Sequence, residues 1–289
     1  MSRYTMAQIV TLTGVKAHTL RKWETRYNFL DPERTDTNIR YYSDLQLKKL
    51  LNISVLTRKG YRISKIDKMS DDEIYKIISD SLEEGDYEDE ISALVISMLD
   101  MDEVRFNELL RTHIVKNGLL ATITELVYPF LNKVGVLWGM NKVMPAQEHF
   151  ISNLIKKKMF ASIDLLPYPH KDSPSILMFL VEGEHHEIGL LLAYYIAREM
   201  GWKVYYLGQN VPIDNIKQVV EEIKPEYLLT MFVTPAEDTI NTTIATILNQ
   251  AEDVPLLFSG NPIGLEKVEG DSRIFHLSHP KDLISCLKK

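Results

Sequence analysis

From Ile176 to Leu277, short apolar runs alternate with helical stretches, and this alternation limits the possible fold more than any other feature of the sequence. Ile176-Leu-Met-Phe-Leu-Val181 contains no polar side chain, so both faces of the strand it forms must be covered, as in a parallel sheet flanked by helices. Further strands are predicted over Lys203–Leu207, Tyr227–Val233, Pro255–Phe258 and Arg273–Leu277, with helices over Gly189–Met200, Ile213–Ile223 and Thr239–Gln250 between them. That layout is a doubly wound, Rossmann-like α/β sheet, which binds ligands beyond the carboxyl ends of its strands.

Upstream the periodicity is helical. Leu119, Ile123, Leu126, Val127, Phe130 and Val134 recur three and four apart, the pattern of a helix packed in a bundle. Four helices are expected, over Ile91–Leu99, Val104–Ile114, Leu119–Val136 and Gln147–Leu165. Pro167, Pro169 and Pro174, with Lys171 and Asp172, mark a linker before the sheet. Nine residues separate Trp138 of Trp138-Gly139 from Glu148-His149. Each has an ordinary use taken alone: a Trp packed at a helix end, and a solvated polar pair on a first turn.

Charge divides the chain a second time. The first 66 residues hold 13 Lys or Arg against 5 Asp or Glu, a surplus of eight positive charges; the rest hold 20 against 35, a deficit of fifteen, which together give the net charge of -7. Overall acidity argues against binding nucleic acid by bulk charge, and the segregation reverses that argument for the head alone. The lone Cys286 can form neither an internal disulfide nor a zinc-type cysteine cluster. There is no uninterrupted apolar run of about 18 residues and no signal-peptide layout around Arg3, Thr5 and Gln8, so a cytoplasmic protein without membrane contact is expected.

Within the basic head, Met6, Ile9, Val10 and Leu12 have helical spacing up to the break at Thr13-Gly14, and a second helical run follows over Ala17–Tyr27. Two short helices joined by a Gly-containing turn make a helix-turn-helix. Lys16, His18, Arg21 and Lys22 occupy the polar face of the second helix, where basic side chains can reach guanine edges or phosphates, while Val15, Leu20 and Trp23 can pack inward. The turn-rich stretch 31–43, with Arg34 and Arg40 on either side of a hairpin-like tip, reads as a wing. Ser43-Asp44 caps an amphipathic helix through Leu45, Leu47, Leu50, Leu51 and Val55, which Gly60 ends.

The loop Glu182-Gly-Glu-His-His-Glu-Ile-Gly189 leaves the first strand of the sheet at its ligand-binding end. Histidine there can present one ring nitrogen to a metal while a nearby carboxylate holds the other and fixes the tautomer. Glu184-x-His186-x-x-Gly189 supplies both groups, with Gly189 allowing close backbone approach at the helix start. Zinc fits poorly, since no compact set of three or four ligands lies beside the loop. A cofactor bringing its own equatorial ligands needs only one from the protein.

Two resemblances give these parts names. Tyr4-Thr-Met-Ala-Gln-Ile9, Gly14-Val15, Thr19-Leu-Arg-Lys-Trp-Glu24, Arg34-Thr35 and Ile39-Arg-Tyr-Tyr-Ser43 resemble the winged helix-turn-helix of MerR-family transcriptional regulators. The resemblance implies a dimer that bends or untwists promoter DNA, with Arg21, Arg34, Arg40 and Tyr41 as contacts by position. The loop at His186 resembles the Asp-x-His-x-x-Gly signature of base-off cobalamin-binding domains, with Glu184 in place of Asp. Thr230-Met-Phe232 stands where that family often has Ser-x-Leu, its hydroxyl meant for the buried nucleotide base. Gly260-Asn261 stands where it often has Gly-Gly, near the nucleotide tail.

In their order the three parts resemble the CarH and LitR class of light-sensing repressors. This implies a multidomain protein: a winged helix-turn-helix head over 1–72, a four-helix bundle lidding the cofactor over 73–168 and a cobalamin-binding sheet over 174–289. By that resemblance the cofactor is adenosylcobalamin and His186 is the lower cobalt ligand. Trp138 and Glu148 meet the upper 5'-deoxyadenosyl group, and His149 takes the upper position after photolysis. The expected partners are double-stranded operator DNA and further copies of the chain, a tetramer in the dark, and no enzyme turnover is required. Two other functions stay open: a cobalamin-independent repressor controlled by a protein antirepressor, and a corrinoid methyl-carrier enzyme component, which has no need of a basic head.

Overall fold

Capping boxes start two of the helices of the head. In the computed structural model, which describes residues 3–27, 29–35, 37–70, 73–74, 77, 87–139, 143–233, 240–251, 253–260 and 272–288, strand β1 (Arg3–Thr5) runs directly into helix α1 (Met6–Thr13). Thr5 donates its amide to Gln8 Oε1 (2.7 Å) and its hydroxyl accepts from the Gln8 amide (3.4 Å), so two end groups of the helix satisfy each other. Gly14, at φ 70°, ends α1 in the left-handed conformation that a side chain disfavours. Helix α2 (Ala17–Arg26) buries Leu20 and Trp23. The wing is formed by β2 (Glu33–Arg34) and β3 (Arg40–Ser43), and β1 completes an antiparallel sheet in the order β1-β3-β2.

Helix α3 (Asp44–Arg58) begins on the second box, Ser43 with Gln46. Ser43 is the expected cap, whereas Asp44 accepts the Tyr4 hydroxyl (2.7 Å) and ties α3 to β1. The expected apolar face needs one correction: Leu45 is 76% exposed, and Leu47, Leu50, Leu51, Ile53, Val55 and Leu56 are the buried residues. A short α4 (Ile63–Ile66) follows.

The helical segment comprises α5 (Tyr87–Asp100), α6 (Glu103–Ala121), α7 (Tyr128–Gly139) and α8 (Pro145–Asp164). Every residue of α5 from Ile91 to Met98 is buried, because the helix packs on α6 and α7 and also on α3 of the head. Asp89 accepts from Arg58 Nη2 (2.6 Å) and Nε (2.9 Å), with Lys59 Nζ at 3.4 Å, and Lys48 pairs with Asp100 at the other end of the two helices. The Asp89 carboxylate thus joins head to bundle.

Glu103–Gly135 is long and apolar enough, by length and composition alone, to cross a membrane. Its backbone leaves the helix at Gly118 (φ 80°, ψ 167°) and resumes through a π-helical turn, Thr122–Val127. Phe106, Leu110, Ile123, Leu126, Val127 and Phe130 on this stretch are buried core.

Two compact units divide the chain, Met1–Ile151 and Ser152–Lys289, with the boundary inside α8. In the second unit β4 (Ser175–Val181), α9 (Ile188–Glu199), β5 (Lys203–Val211), α10 (Ile216–Ile223), β6 (Tyr227–Phe232), α11 (Ile240–Gln250), β7 (Leu256–Gly260), β8 (Ile274–His276) and α12 (Pro280–Leu287) build a parallel sheet in the order β5-β4-β6-β7-β8. All of β4 is buried, as its unbroken apolar run requires. One face of the sheet is sealed by Leu177, Phe179, Leu228 and Phe258 against Ile216, Ile244 and Ile247. The strand order reverses between β4 and β6, which opens a crevice at their carboxyl ends.

Candidate functional site

The loop predicted to carry a metal ligand leaves β4 at that crevice. Glu184 is the anchor: its side chain is 6% exposed, Oε1 accepts the amides of His185 (2.9 Å) and His186 (3.0 Å), and Oε2 accepts the amide of Val233 beyond β6 (2.9 Å). The carboxylate therefore clasps the loop after β4 to the loop after β6, across the switch point. The same Oε1 lies 2.7 Å from His186 Nδ1. An ionised carboxylate only accepts, so Nδ1 carries the proton and the basic lone pair of the ring lies on Nε2. The His186 side chain is 53% exposed, and Gly189 sits in the first turn of α9 directly behind the loop.

Strand β5 supports this loop in a way the sequence reading missed. It extends to Val211 rather than Leu207, and its register against β4 shifts at Met178/Phe179 and again at Phe179/Val181. Gly208 (φ 77°) and Asn210 (φ 58°) take left-handed backbone there. Asn210 Oδ1 accepts the Gly183 amide (2.9 Å), and the Asn210 amide donates to the Glu184 carbonyl (3.2 Å). Glu187 at the start of α9 is buried, accepts the Tyr206 hydroxyl (2.8 Å) and has Lys156 Nζ at 3.6 Å. Burial, then this bond to Glu187, holds the Tyr206 hydroxyl protonated far above the usual phenol range. A signal was present, since Glu187 adjoins His186 just before the apolar turn of α9.

On β6, Thr230 is fully buried and its hydroxyl has no hydrogen-bond partner among the described residues. A buried hydroxyl left unpaired costs about 1–3 kcal/mol, so this site suits a ligand with a polar atom to offer it. Gly260 ends β7 at φ 147°, where an added Cβ would stand 2.0 Å from the Phe232 carbonyl oxygen. Only glycine fits a backbone this close. Asn261 lies outside the described residues. One presented imidazole and one orphan hydroxyl at the open end of a parallel sheet fit a large cofactor that carries its own metal.

In the first unit, Glu148 and His149 occupy the first turn of α8, with Glu148 Oε2 3.0 Å from His149 Nδ1 and the imidazole largely exposed. Trp138 belongs to α7, but its side chain lies outside the described residues. In the head, Lys16, His18, Arg21 and Lys22 are exposed on and just before α2, Arg34 is exposed on the wing, and Arg40 and Tyr41 are half-buried on β3. Glu24, not singled out from the sequence, accepts from Arg40 and Tyr42.

Known proteins resemble this chain part by part. Residues 4–73 match the family model for MerR HTH family regulatory proteins, and residues 90–161 match that for a B12 binding domain. The chain is 27% identical over 249 residues to the HTH-type transcriptional repressor CarH of Myxococcus xanthus, covering 83% of this chain and 82% of that protein. It is 25% identical over 235 residues to the repressor CarA of the same organism, covering 78% and 75%. The monomethylamine corrinoid protein of Methanosarcina barkeri shares the fold at a TM-score of 0.53 and 17% identity, over 68% of this chain and 95% of that one. The chain therefore joins a head that matches the MerR HTH model to a helical segment that matches the B12 binding domain model and a Rossmann-like parallel sheet, a fold it shares with a corrinoid protein.

Proposed function

We propose that this protein is a transcriptional repressor that holds adenosylcobalamin, binds promoter DNA in the dark as a homo-oligomer, a tetramer by resemblance, and leaves the DNA in light. The observation that carries the reading is the Glu184–His186 pair, a buried carboxylate fixing a presented imidazole at the switch point of the sheet. CarH and CarA, named as repressors, support the regulatory half of the reading. The cofactor supplies a cobalt–carbon bond that absorbs visible light and is cleaved by it.

The residues divide the work. His186 offers Nε2 as the lower metal ligand, with Glu184 holding its tautomer. Thr230 would offer its hydroxyl to the buried nucleotide, and Gly260-Asn261 stands, by resemblance, beside the nucleotide tail, with Asn261 adding a side chain where the family often has glycine. By resemblance alone, Trp138 and Glu148 would meet the upper group and His149 would be the second imidazole for the metal. Lys16, His18, Arg21, Lys22, Arg34, Arg40 and Tyr41 hold the duplex, while the acidic remainder keeps DNA on the heads. Residues 1–72 would read DNA, 73–168 lid the cofactor and 174–289 hold it, within the cytoplasm and without turnover. In an oligomer each head raises the effective concentration of the next, so dissociation of subunits lowers operator affinity steeply.

Protein purified with adenosylcobalamin in the dark and passed through a desalting column is expected to keep a stoichiometric corrinoid absorption spectrum without the signature of the cofactor's own base on cobalt. A colourless protein that still binds its operator would instead be a cobalamin-independent regulator, answering to a protein antirepressor.

A further inference from the structure

Arg34 and Arg40 are register partners in the antiparallel pairing of β2 with β3. Like charges directly opposite each other destabilise a hairpin, so the base of this wing needs an anion. Glu24 supplies it, from α2 and not from the wing. Its side chain is 6% exposed; Arg40 donates Nε–H to Oε2 (2.7 Å), Tyr42 donates its hydroxyl to Oε1 (2.6 Å), and Arg34 Nη2 stands 3.9 Å from Oε2. The helix that holds this carboxylate also carries exposed Arg21 and Lys22.

A carboxylate buried within a surface that meets a polyanion weakens binding on charge alone. The geometry points to Glu24 as a positioning residue that ties the wing to the recognition helix, so that Arg34 and Arg40 engage the same duplex in register with Arg21 and Lys22. Engaging Nε fixes the plane of the Arg40 guanidinium, and the fork of its terminal nitrogens is the group a phosphate accepts in bidentate fashion. One carboxylate against two guanidinium groups leaves one positive charge, which a backbone phosphate matches.

This inference rests on the reading of the head as an operator-binding module. Full-length protein loaded with adenosylcobalamin in the dark is used to select duplexes from a randomised library. Dissociation constants are then measured for the selected duplex and a scrambled one over a range of KCl concentrations. Failure of the unaltered protein to enrich any duplex would overturn the operator reading and this inference with it.

Given enrichment, Glu24→Gln is expected to weaken binding to the selected duplex and to leave binding to the scrambled one unchanged or tighter. The ratio between them should fall at least about tenfold, with the salt slope for the selected duplex shallower by about one, as for one lost phosphate contact. Glu24→Asp should recover part of the ratio. Arg40→Lys, which keeps the charge and loses the fork, should reproduce the loss. An unchanged ratio in Glu24→Gln and Arg40→Lys would overturn the proposal, as would equal weakening on both duplexes together with a lowered melting temperature.

Discussion

Replacing His186 by alanine is expected to strip the protein of its cofactor while leaving its fold intact. The cost is confined because Glu184, not His186, holds the loop: its carboxylate keeps the amides of His185, His186 and Val233 when the imidazole is gone. Removing a residue that merely supports a ligating histidine commonly costs 10–100-fold in metal affinity, so loss of the ligand itself should weaken retention by about 100-fold or more. Adenosylcobalamin retained after desalting, read from its absorption, should drop to background for His186→Ala. His185→Ala is the control, since its exposed imidazole is next in sequence and only its amide is used by Glu184. Equal retention by both variants would remove His186 from the site.

The second large effect is expected at Gly260. A methyl group there would stand 2.0 Å from the Phe232 carbonyl oxygen, 2.5 Å from its carbon and 2.9 Å from its nitrogen, all backbone atoms of the adjacent strand. Neither strand can yield without breaking the β6–β7 pairing, and φ 147° is a conformation that alanine strongly resists. Gly260→Ala should therefore cost about 3 kcal/mol or more, from backbone strain and overpacking together. Melting of the cofactor-free protein should begin several degrees lower, and cofactor retention should fall with it. An unchanged melting curve would mean that the two strands do not approach each other as described.

The contrast between these two variants separates chemistry from construction. His186 contributes a ligand and little packing, so its loss should appear in the spectrum and hardly in the melt. Gly260 contributes room, so its loss should appear in both.

Much of the sheet was legible before its structure, because an all-apolar strand such as Ile176–Val181 can only be buried on both faces, and each following run as far as Pro255–Phe258 was preceded by a helix with its own period. The order β5-β4-β6-β7-β8 was not legible, since nothing in a strand's own residues names its neighbour. Without that order, the part Glu184 plays between the β4 and β6 loops could not be seen, although its hydrogen bond to His186 could be proposed from spacing alone. The extension of β5 to Val211 was not expected, since glycine and asparagine favour turns, and in the fold Gly208 and Asn210 take left-handed backbone while staying on the sheet edge.

The head shows the same division. Its cap at Ser43 has local chemistry that a sequence displays, whereas the Thr5 cap and the short strand β1 were not expected, the strand because its pairing with β3 is a long-range event. Glu24 was not singled out, since only the pairing of Arg34 with Arg40 gives this acidic residue on a basic helix a task. The bundle was correctly expected to be helical. Its junction with the head was not foreseen, because nothing local to Asp89 names Arg58 and Lys59, some thirty residues earlier, as its partners.

The cofactor of this chain is expected to control its hold on DNA. The direct measurement takes holo-protein prepared in the dark with adenosylcobalamin, divides it, illuminates one half with visible light, and measures sedimentation and operator gel shift on both. The dark sample is expected to sediment as the larger oligomer and to retard the operator, and the illuminated one to sediment more slowly and release it. Identical sedimentation and identical gel shifts in dark and light would contradict it.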